Sequence, residues 1–355
     1  MIKKVGIILV NYKDYAERFL TPCRDSLRAQ DYPAEQTRIY IIDNASTPGS
    51  LAYLKNNYPE ATVLPRLDGN YAAANNLGFK EAIKDGCEYL VTLNMDTEVE
   101  PQWLKELVKA LDNNPSAGIV QAKILLYPKD EIEKTRAKIN SLGNIIHYLG
   151  FGFTSDYGAP DREILAYLEI KGYASGCSFI IRREVFEQVG GYIEEFYMYH
   201  DDLELSLKVK LAGYKIILAP RAVVYHKYEF KRSTKMIYYM ERNRYLTMLI
   251  FYPYRFLAWI FLPLLFLDLG MLFYALFGGW FREEIKIYGH FFRRRTYDMI
   301  AKERARLKSF STVPFEEIAR DFEGRIMFQE ISNPILKYIA NPLMNIYWRL
   351  VKLFF

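Results

Sequence analysis

Three stretches hold residues whose types and spacing could do chemistry. The first is Asn94-Met95-Asp96, which follows the β-favouring run Tyr89–Leu93 with groups that a buried strand would not choose. At a strand's carboxyl end in an open α/β sheet, the departing loops frame a crevice. There a carboxylate beside an amide oxygen offers hard oxygen ligands to Mg²⁺ or Mn²⁺, with waters and a substrate's phosphates completing the shell. Taken alone, the triplet fits a turn or helix cap at least as well. The second stretch is Asp201-Asp202, paired acids that open an amphipathic helix marked by Leu203, Leu207 and Leu211 and ended by Gly213. Acids in a first turn also suit the helix dipole. The third is His226, which closes the run 222–225; a lone histidine after a strand is commonly a surface or capping residue.

The elements around these stretches decide between the readings. Residues 5–10 are a continuous apolar run, as in a parallel strand covered on both faces, and they end in Asn11. A helix over about 15–30 leads to a second strand, 38–42, ending in Asp43-Asn44-Ala45-Ser46. A third strand ends near Leu64, residues 67–78 open the next helix, and Tyr89–Leu93 is the fourth strand. Pro101 and Trp103 start a helix to Asn113, and 117–125 reads as a fifth strand. Polar groups therefore close three strands of one parallel sheet and converge on one edge, which suits a nucleotide and a metal. No Gly-x-Gly-x-x-Gly follows the first strand, which argues against a dinucleotide-binding domain. Residues 127–170 are mixed and read as loops and short strands over the cleft. Beyond them, 172–181 reads as a turn feeding a buried strand, 182–189 as a short helix closed by Gly190 and Gly191, and 215–218 and 222–225 as two short strands.

In order and spacing, Val10-Asn11-Tyr12, Ile42-Asp43-Asn44-Ala45-Ser46, Gly69-Asn70 through Asn75-Asn76-x-Gly78, and Leu93-Asn94-Met95-Asp96 resemble the successive motifs of the family 2 glycosyltransferases, inverting enzymes of the GT-A fold. The paired acids and the run ending in His226 are similar to two further motifs of that family. The resemblance covers residue 5 to about 226. It implies an α/β GT-A fold with a mostly parallel central sheet, over residues 1–230, with a nucleotide-sugar half to about 126 and an acceptor half after it. Residues 231–355 would then be a helical, membrane-associated region. By the same resemblance Asn11, Asp43, Asn70, Asn75 and Asn94 bind the nucleotide sugar, with Asp43 on the nucleobase, and Asp96 and His226 hold Mg²⁺ or Mn²⁺. The first acid of the family's D-x-D motif is Asn94 here. The base that takes the acceptor proton falls on Asp202, with Asp201 placing acceptor or base. The function implied is transfer of a sugar, rhamnose among the candidates, from a nucleotide diphosphate to a hydroxyl of a glycan or lipid-linked acceptor in cell-envelope polysaccharide synthesis. Two other readings stand beside it. One is a membrane-bound scaffold that binds sugar nucleotide or glycan without turnover. The other is a sugar-nucleotide pyrophosphorylase, whose expected Gly-rich basic loop is replaced here by Asn11-Tyr12-Lys13-Asp14.

Composition agrees with a cytoplasmic globular chain bearing an apolar tail. With 51% hydrophobic and 25% charged residues the chain can bury a core, and a net charge of +5 is too mild for a nucleic-acid partner. Cys23, Cys87 and Cys177 have no metal-like spacing and read as free thiols in a reducing compartment. The apolar run at the N-terminus is too short for a signal peptide. Lys227, Lys231, Arg232, Arg242 and Arg244 suit lipid headgroups. Residues 256–281 are apolar except for Asp268 and long enough for one membrane span. Pro263, Asp268 and basic flanks on both sides favour instead a re-entrant or interfacial helical hairpin on the cytoplasmic face. Residues 343–355 keep Asn345, Arg349 and Lys352 on one stripe of an apolar helix. That pattern suits a membrane interface, or docking on this chain or on a second copy, so a homo-oligomer stays open.

Overall fold

The alternation of apolar runs and polar strand ends folds as a mixed sheet flanked by helices. The structure is a computed structural model that describes residues 2–228, 234–327 and 334–355, so Lys231 and Arg232 lie outside the described residues. In order come β1 (Val5–Tyr12), α1 (Tyr15–Arg28), β2 (Thr37–Asn44), α2 (Pro48–Asn57), β3 (Thr62–Arg66), α3 (Tyr71–Lys84), β4 (Tyr89–Leu93), β5 (Thr97–Val99), α4 (Trp103–Asn113) and β6 (Ala117–Leu126). There follow α5 (Glu131–Thr135), β7 (Ile139–Ser141), β8 (Asn144–Ile146), β9 (Gly152–Thr154), β10 (Leu168–Glu169), β11 (Ser178–Arg182), α6 (Arg183–Val189), α7 (Asp201–Leu211) and β12 (Lys215–His226). The strand order is β10-β12-β6-β11-β4-β1-β2-β3. β1 runs parallel to β2 and β4, and its register sets Asn11 opposite Asp43 and Tyr12 opposite Asn44. β11 is antiparallel to both neighbours, so the largely parallel sheet is mixed at its centre. The two strands expected over 215–225 are one, β12, whose register shift between Ala219 and Val223 absorbs the interruption as a bulge would.

Packing on both faces of the sheet holds this edge in place. Val5, Ile7 and Leu9 of β1 join Leu20 and Cys23 of α1 in the core on one face. On the other face α3 lies close because its contact residues are small: a Cβ at Gly78 would come within 2.7 Å of Ile8. The turn at residues 190–194 is clamped from two sides. Asn76 of α3 accepts from Tyr192 N at 2.8 Å and donates to Tyr192 O at 2.9 Å. From α7, Glu204 accepts from Ile193 N at 2.7 Å, and Lys208 donates to Gly191 O and pairs with Glu204 at 2.8 Å, with both side chains buried.

The chain divides into two compact units: Met1–Asn144 with Thr154–Val209 and Tyr214–Glu229, and Ile145–Phe153 with Lys210–Gly213 and Phe230–Phe355. The second unit is built mainly on α8 (Thr234–Phe251), α9 (Tyr254–Gly278), α10 (Phe281–His290), α11 (Arg294–Phe310), α12 (Phe315–Ala319) and α13 (Asn341–Val351). The hairpin expected over 256–281 is instead one helix, α9, running unbroken through Pro263. Proline has no N–H for the carbonyl of Trp259 four residues back, and Tyr347 Oη of α13 donates to that carbonyl at 2.5 Å. Gly279, with φ 76°, closes the helix.

Lys208→Met leaves the Glu204 carboxylate buried without its cation, and is expected to cost about 3–5 kcal/mol. The check is the unfolding midpoint in urea; Glu204→Gln with Lys208→Met, which keeps an acceptor for Ile193 N, is expected to lose much less.

Candidate active site

At the ends of β1 and β2, amide and carboxylate groups lock to one another. Asn11 is wholly buried; its Nδ2 donates to Asp43 Oδ1 at 2.7 Å and its Oδ1 accepts from Ala16 N at 2.8 Å, joining both strands to the start of α1. Asp43 Oδ2 accepts from Ser46 Oγ at 2.5 Å and Ser50 Oγ at 2.7 Å. Asn70 caps α3 by accepting from Ala73 N at 3.0 Å and donates to Glu194 O at 2.9 Å. Before it, Gly69 holds φ 68°, and a Cβ there would sit 2.8 Å from Tyr197 Oη. Asn75 is buried within α3, donates to Tyr71 O at 3.0 Å and faces Thr92 Oγ1 at 3.5 Å. Asn94 Oδ1 accepts from Tyr71 Oη at 3.2 Å.

Asp96 sits two residues on, almost wholly buried. Its Oδ2 accepts from Tyr15 Oη at 2.6 Å and lies 3.4 Å from His226 Nε2, while its Oδ1 is buried with no hydrogen-bond partner among the described residues. His226 reaches the site because β12 pairs antiparallel with β5, setting it opposite Thr97. Its Nδ1 lies 2.9 Å from Asn140 Oδ1. Burial pushes the Asp96 carboxyl up, but the His226 ring and the Tyr15 hydroxyl outweigh it and hold it below its ordinary value. Burial also opposes the charged imidazole, yet the Cys177 sulfur and the Asp96 carboxylate hold His226 up at about 10. No cluster of three or more His, Cys, Asp or Glu placed to hold a metal occurs among the described residues. What the structure offers a cation is one orphaned carboxylate oxygen with one imidazole beside that carboxyl, donors that fit a divalent ion filling its remaining positions from substrate and water.

The acids of α7 follow a strained approach. Tyr197, Tyr199 and His200 all have positive φ, at 66°, 63° and 60°, and such residues persist only where their surroundings over-determine them. The Tyr197 carbonyl is so determined, accepting from Tyr71 N at 2.8 Å and Ala72 N at 3.2 Å at the start of α3. Asp202 is part-buried; its Oδ2 accepts from Gly176 N at 3.0 Å and its Oδ1 from Leu203 N at 2.8 Å. Burial pushes its carboxyl up to about 6, against those backbone donors. Asp201 is buried and lifted well above the usual range, by burial and then by the charges of Asp202 and Glu204. Asp201 is thus pushed toward its neutral form, while the two main-chain donors favour the charged form of Asp202. Gly176 holds Asp202, and the next residue, Cys177, accepts from Asn94 N at 2.9 Å through its carbonyl, so one dipeptide ties the α7 acids to the end of β4.

Tyr15, Tyr71 and Asn140 join the site unannounced by sequence, and Gly176 joins with them. Gly176 falls in a turn that the sequence does mark. Nothing in the sequence around Asn140 or the two tyrosines sets them apart from their neighbours.

Residues 6–190 match the family model for glycosyl transferase family 2, a span that ends before Asp201, Asp202 and His226. The chain is 32% identical over 244 residues to the O-antigen biosynthesis protein RfbC of Myxococcus xanthus, a match covering 65% of this chain but only 18% of that much longer protein. It is 25% identical over 254 residues to the N-acetylglucosaminyl-diphospho-decaprenol L-rhamnosyltransferase of Mycobacterium tuberculosis, covering 64% of this chain and 76% of that one. Among solved structures, GalNAc-T7, crystallised with UDP, GalNAc and Mn²⁺, superposes with a TM-score of 0.56 at 17% identity, over 73% of this chain and 50% of that chain. A family match over more than half its length places one conclusion on this chain: it belongs to glycosyl transferase family 2, and its fold is GT-A.

Proposed function

We propose that this protein is an inverting transferase that moves a sugar from a nucleoside diphosphate to a hydroxyl of a glycan or lipid-linked acceptor, at the cytoplasmic face of the cell membrane, in envelope polysaccharide synthesis. The observation that carries it is the contrast within the α7 pair. Asp202 is held by two backbone N–H groups that favour its charged form, and Asp201, buried beside it, is pushed toward its neutral form. The relative that transfers L-rhamnose to a diphospho-decaprenol-linked acceptor supports a lipid-linked acceptor and makes rhamnose the first donor sugar to try.

In this reading Asp202 takes the proton of the acceptor hydroxyl as that oxygen attacks the anomeric carbon, from the face opposite the departing nucleoside diphosphate. Protonated Asp201 is free to donate a hydrogen bond that fixes acceptor or base. Asn11 and Asp43, already locked together, present the edge to which the nucleobase docks; Asn70, Asn75 and Asn94 line the donor side behind it. Asp96 and His226 would hold Mg²⁺ or Mn²⁺, which when bound offsets charge growing on the diphosphate. Asn140, by accepting the Nδ1 proton of His226, fixes the ring with Nε2 toward Asp96, so that Nε2 would be the nitrogen offered to a metal once it gives up its proton.

The test is a panel of nucleotide sugars, dTDP-rhamnose included, with Mn²⁺ or Mg²⁺, following release of nucleoside diphosphate and donor binding by calorimetry. Release from one donor that needs the metal supports the reading; no binding to any nucleotide sugar would sink it. Asp202→Asn is expected to lower kcat by about 10²–10⁴-fold with donor affinity unchanged. Because the base must be ionised, kcat/KM for the wild type is expected to fall about tenfold per pH unit below pH 6 and level off above it. Asn140→Leu is expected to weaken Mn²⁺ binding about 10–100-fold in electron paramagnetic resonance titrations with UDP or dTDP present, and Asn140→Asp, which keeps an acceptor, to restore it.

A further inference from the structure

α9, 25 residues long, is apolar enough to cross a membrane: its most apolar window has a mean hydropathy of 2.2 and is 11% buried. Its two sides have different neighbours. Phe256, Ile260, Leu267, Met271 and Ala275 recur at helical spacing and are buried or half-buried against the second unit. On the opposite side Phe261, Leu265, Phe266, Leu269, Phe273 and Phe277 are between 40% and 77% exposed. A helix of a water-soluble body would carry polar residues there.

The helices beside α9 bear on how it can meet lipid. Asp268, on its inner side, pairs with Arg244 of α8 at 3.3 Å, and Arg244 pairs in turn with Glu241 at 2.8 Å. α10, which also packs on α9, carries Glu283, Glu284 and Lys286. Were α9 to cross a bilayer, these charges would be carried toward the hydrocarbon centre with it, where ionised side chains are costly. Lying in the plane, α9 buries its outer side alone.

α13 packs beside α9 and has an apolar outer side of its own. It is fastened to α9 by Tyr347 Oη on Trp259 O and by Trp348 against Phe256, with ring centroids 5.7 Å apart. Outward it and its flanking turns show Tyr338, Leu343, Ile346, Leu350, Leu353 and Phe354, each more than half exposed. Charge supplies the complement. Residues 230–355 hold 20 Lys and Arg against 11 Asp and Glu, while residues 1–229 hold 27 against 31. Arg282, Arg293, Arg294, Arg295, Lys337 and Arg349 are all exposed. An apolar face on a basic unit matches anionic headgroups over acyl chains.

We propose that the outer sides of α9 and α13 form one lipid-embedding face that lies in the plane of a single leaflet of anionic lipid and does not cross it. This rests on the membrane reading above and gives it a geometry.

The experiment uses the full chain added to preformed vesicles, either phosphatidylcholine alone or with phosphatidylglycerol. Flotation is expected with the anionic vesicles and to weaken as salt rises. Phe266→Asp with Leu269→Asp, and separately Ile346→Asp with Leu350→Asp, are each expected to cut it at least tenfold. Tyr254→Cys, at the start of α9, and Arg282→Cys, in α10 just past its end, are both expected to react with a membrane-impermeant maleimide added outside. Protection of one end in floated protein would overturn the in-plane placement and leave the membrane reading standing. No flotation with either vesicle would overturn both. A dimer in light scattering that the aspartate pairs dissociate, without flotation, would assign the face to a second copy instead.

Discussion

A carboxylate taken out of water has to be neutralised, paired or hydrogen-bonded, and this fold carries Asp43, Asp96, Asp201 and Asp202 out of bulk water in one unit. Each is treated differently. Asp43 is saturated by Asn11, Ser46 and Ser50; Asp96 is satisfied on one oxygen and orphaned on the other; Asp201 is driven toward its neutral form; Asp202 keeps its charge through two main-chain donors. The four environments leave four acids of one unit with different chemistry. Most of the surrounding structure maintains those differences.

Holding them has local costs that the scaffold offsets. Lys13 and Ala45, just past the ends of β1 and β2, and Tyr197, Tyr199 and His200, just before α7, all adopt positive φ. Strain of this kind persists where hydrogen bonds leave no alternative, as the Tyr197 carbonyl shows by closing the start of α3. The clamp of Asn76, Glu204 and Lys208 on residues 190–194 anchors the approach to the strained turn from both neighbouring helices.

The second unit answers the opposite problem. The outer sides of α9 and α13 are apolar, and inside the unit the buried Arg244 is paired with Glu241 and Asp268. The interruption that Pro263 would make in α9 is bridged by a hydroxyl from a helix more than eighty residues on. One chain thus combines a unit that organises buried charge with a unit that presents hydrocarbon.

Much of this was legible in the residues. Continuous apolar runs such as 5–10 announce strands buried on both faces, and a polar terminator announces its own strand end, because both are local properties that survive whatever the strand pairs with. From Asn11, Asp43-Asn44 and Asn94-Asp96 the α/β class and the edge where these polar groups gather therefore followed. Long-range choices did not. That β11 enters the sheet antiparallel between β4 and β6, that 215–226 is one bulged strand, and that Pro263 leaves α9 whole each depend on partners distant in sequence. Tyr15 and Asn140 look like any surface tyrosine and asparagine until folding sets them against Asp96 and His226. Two adjacent aspartates are alike on paper. Which of them ionises was left to the tertiary structure, since a carboxyl's proton affinity is set by burial and by the donors and charges that folding brings to it.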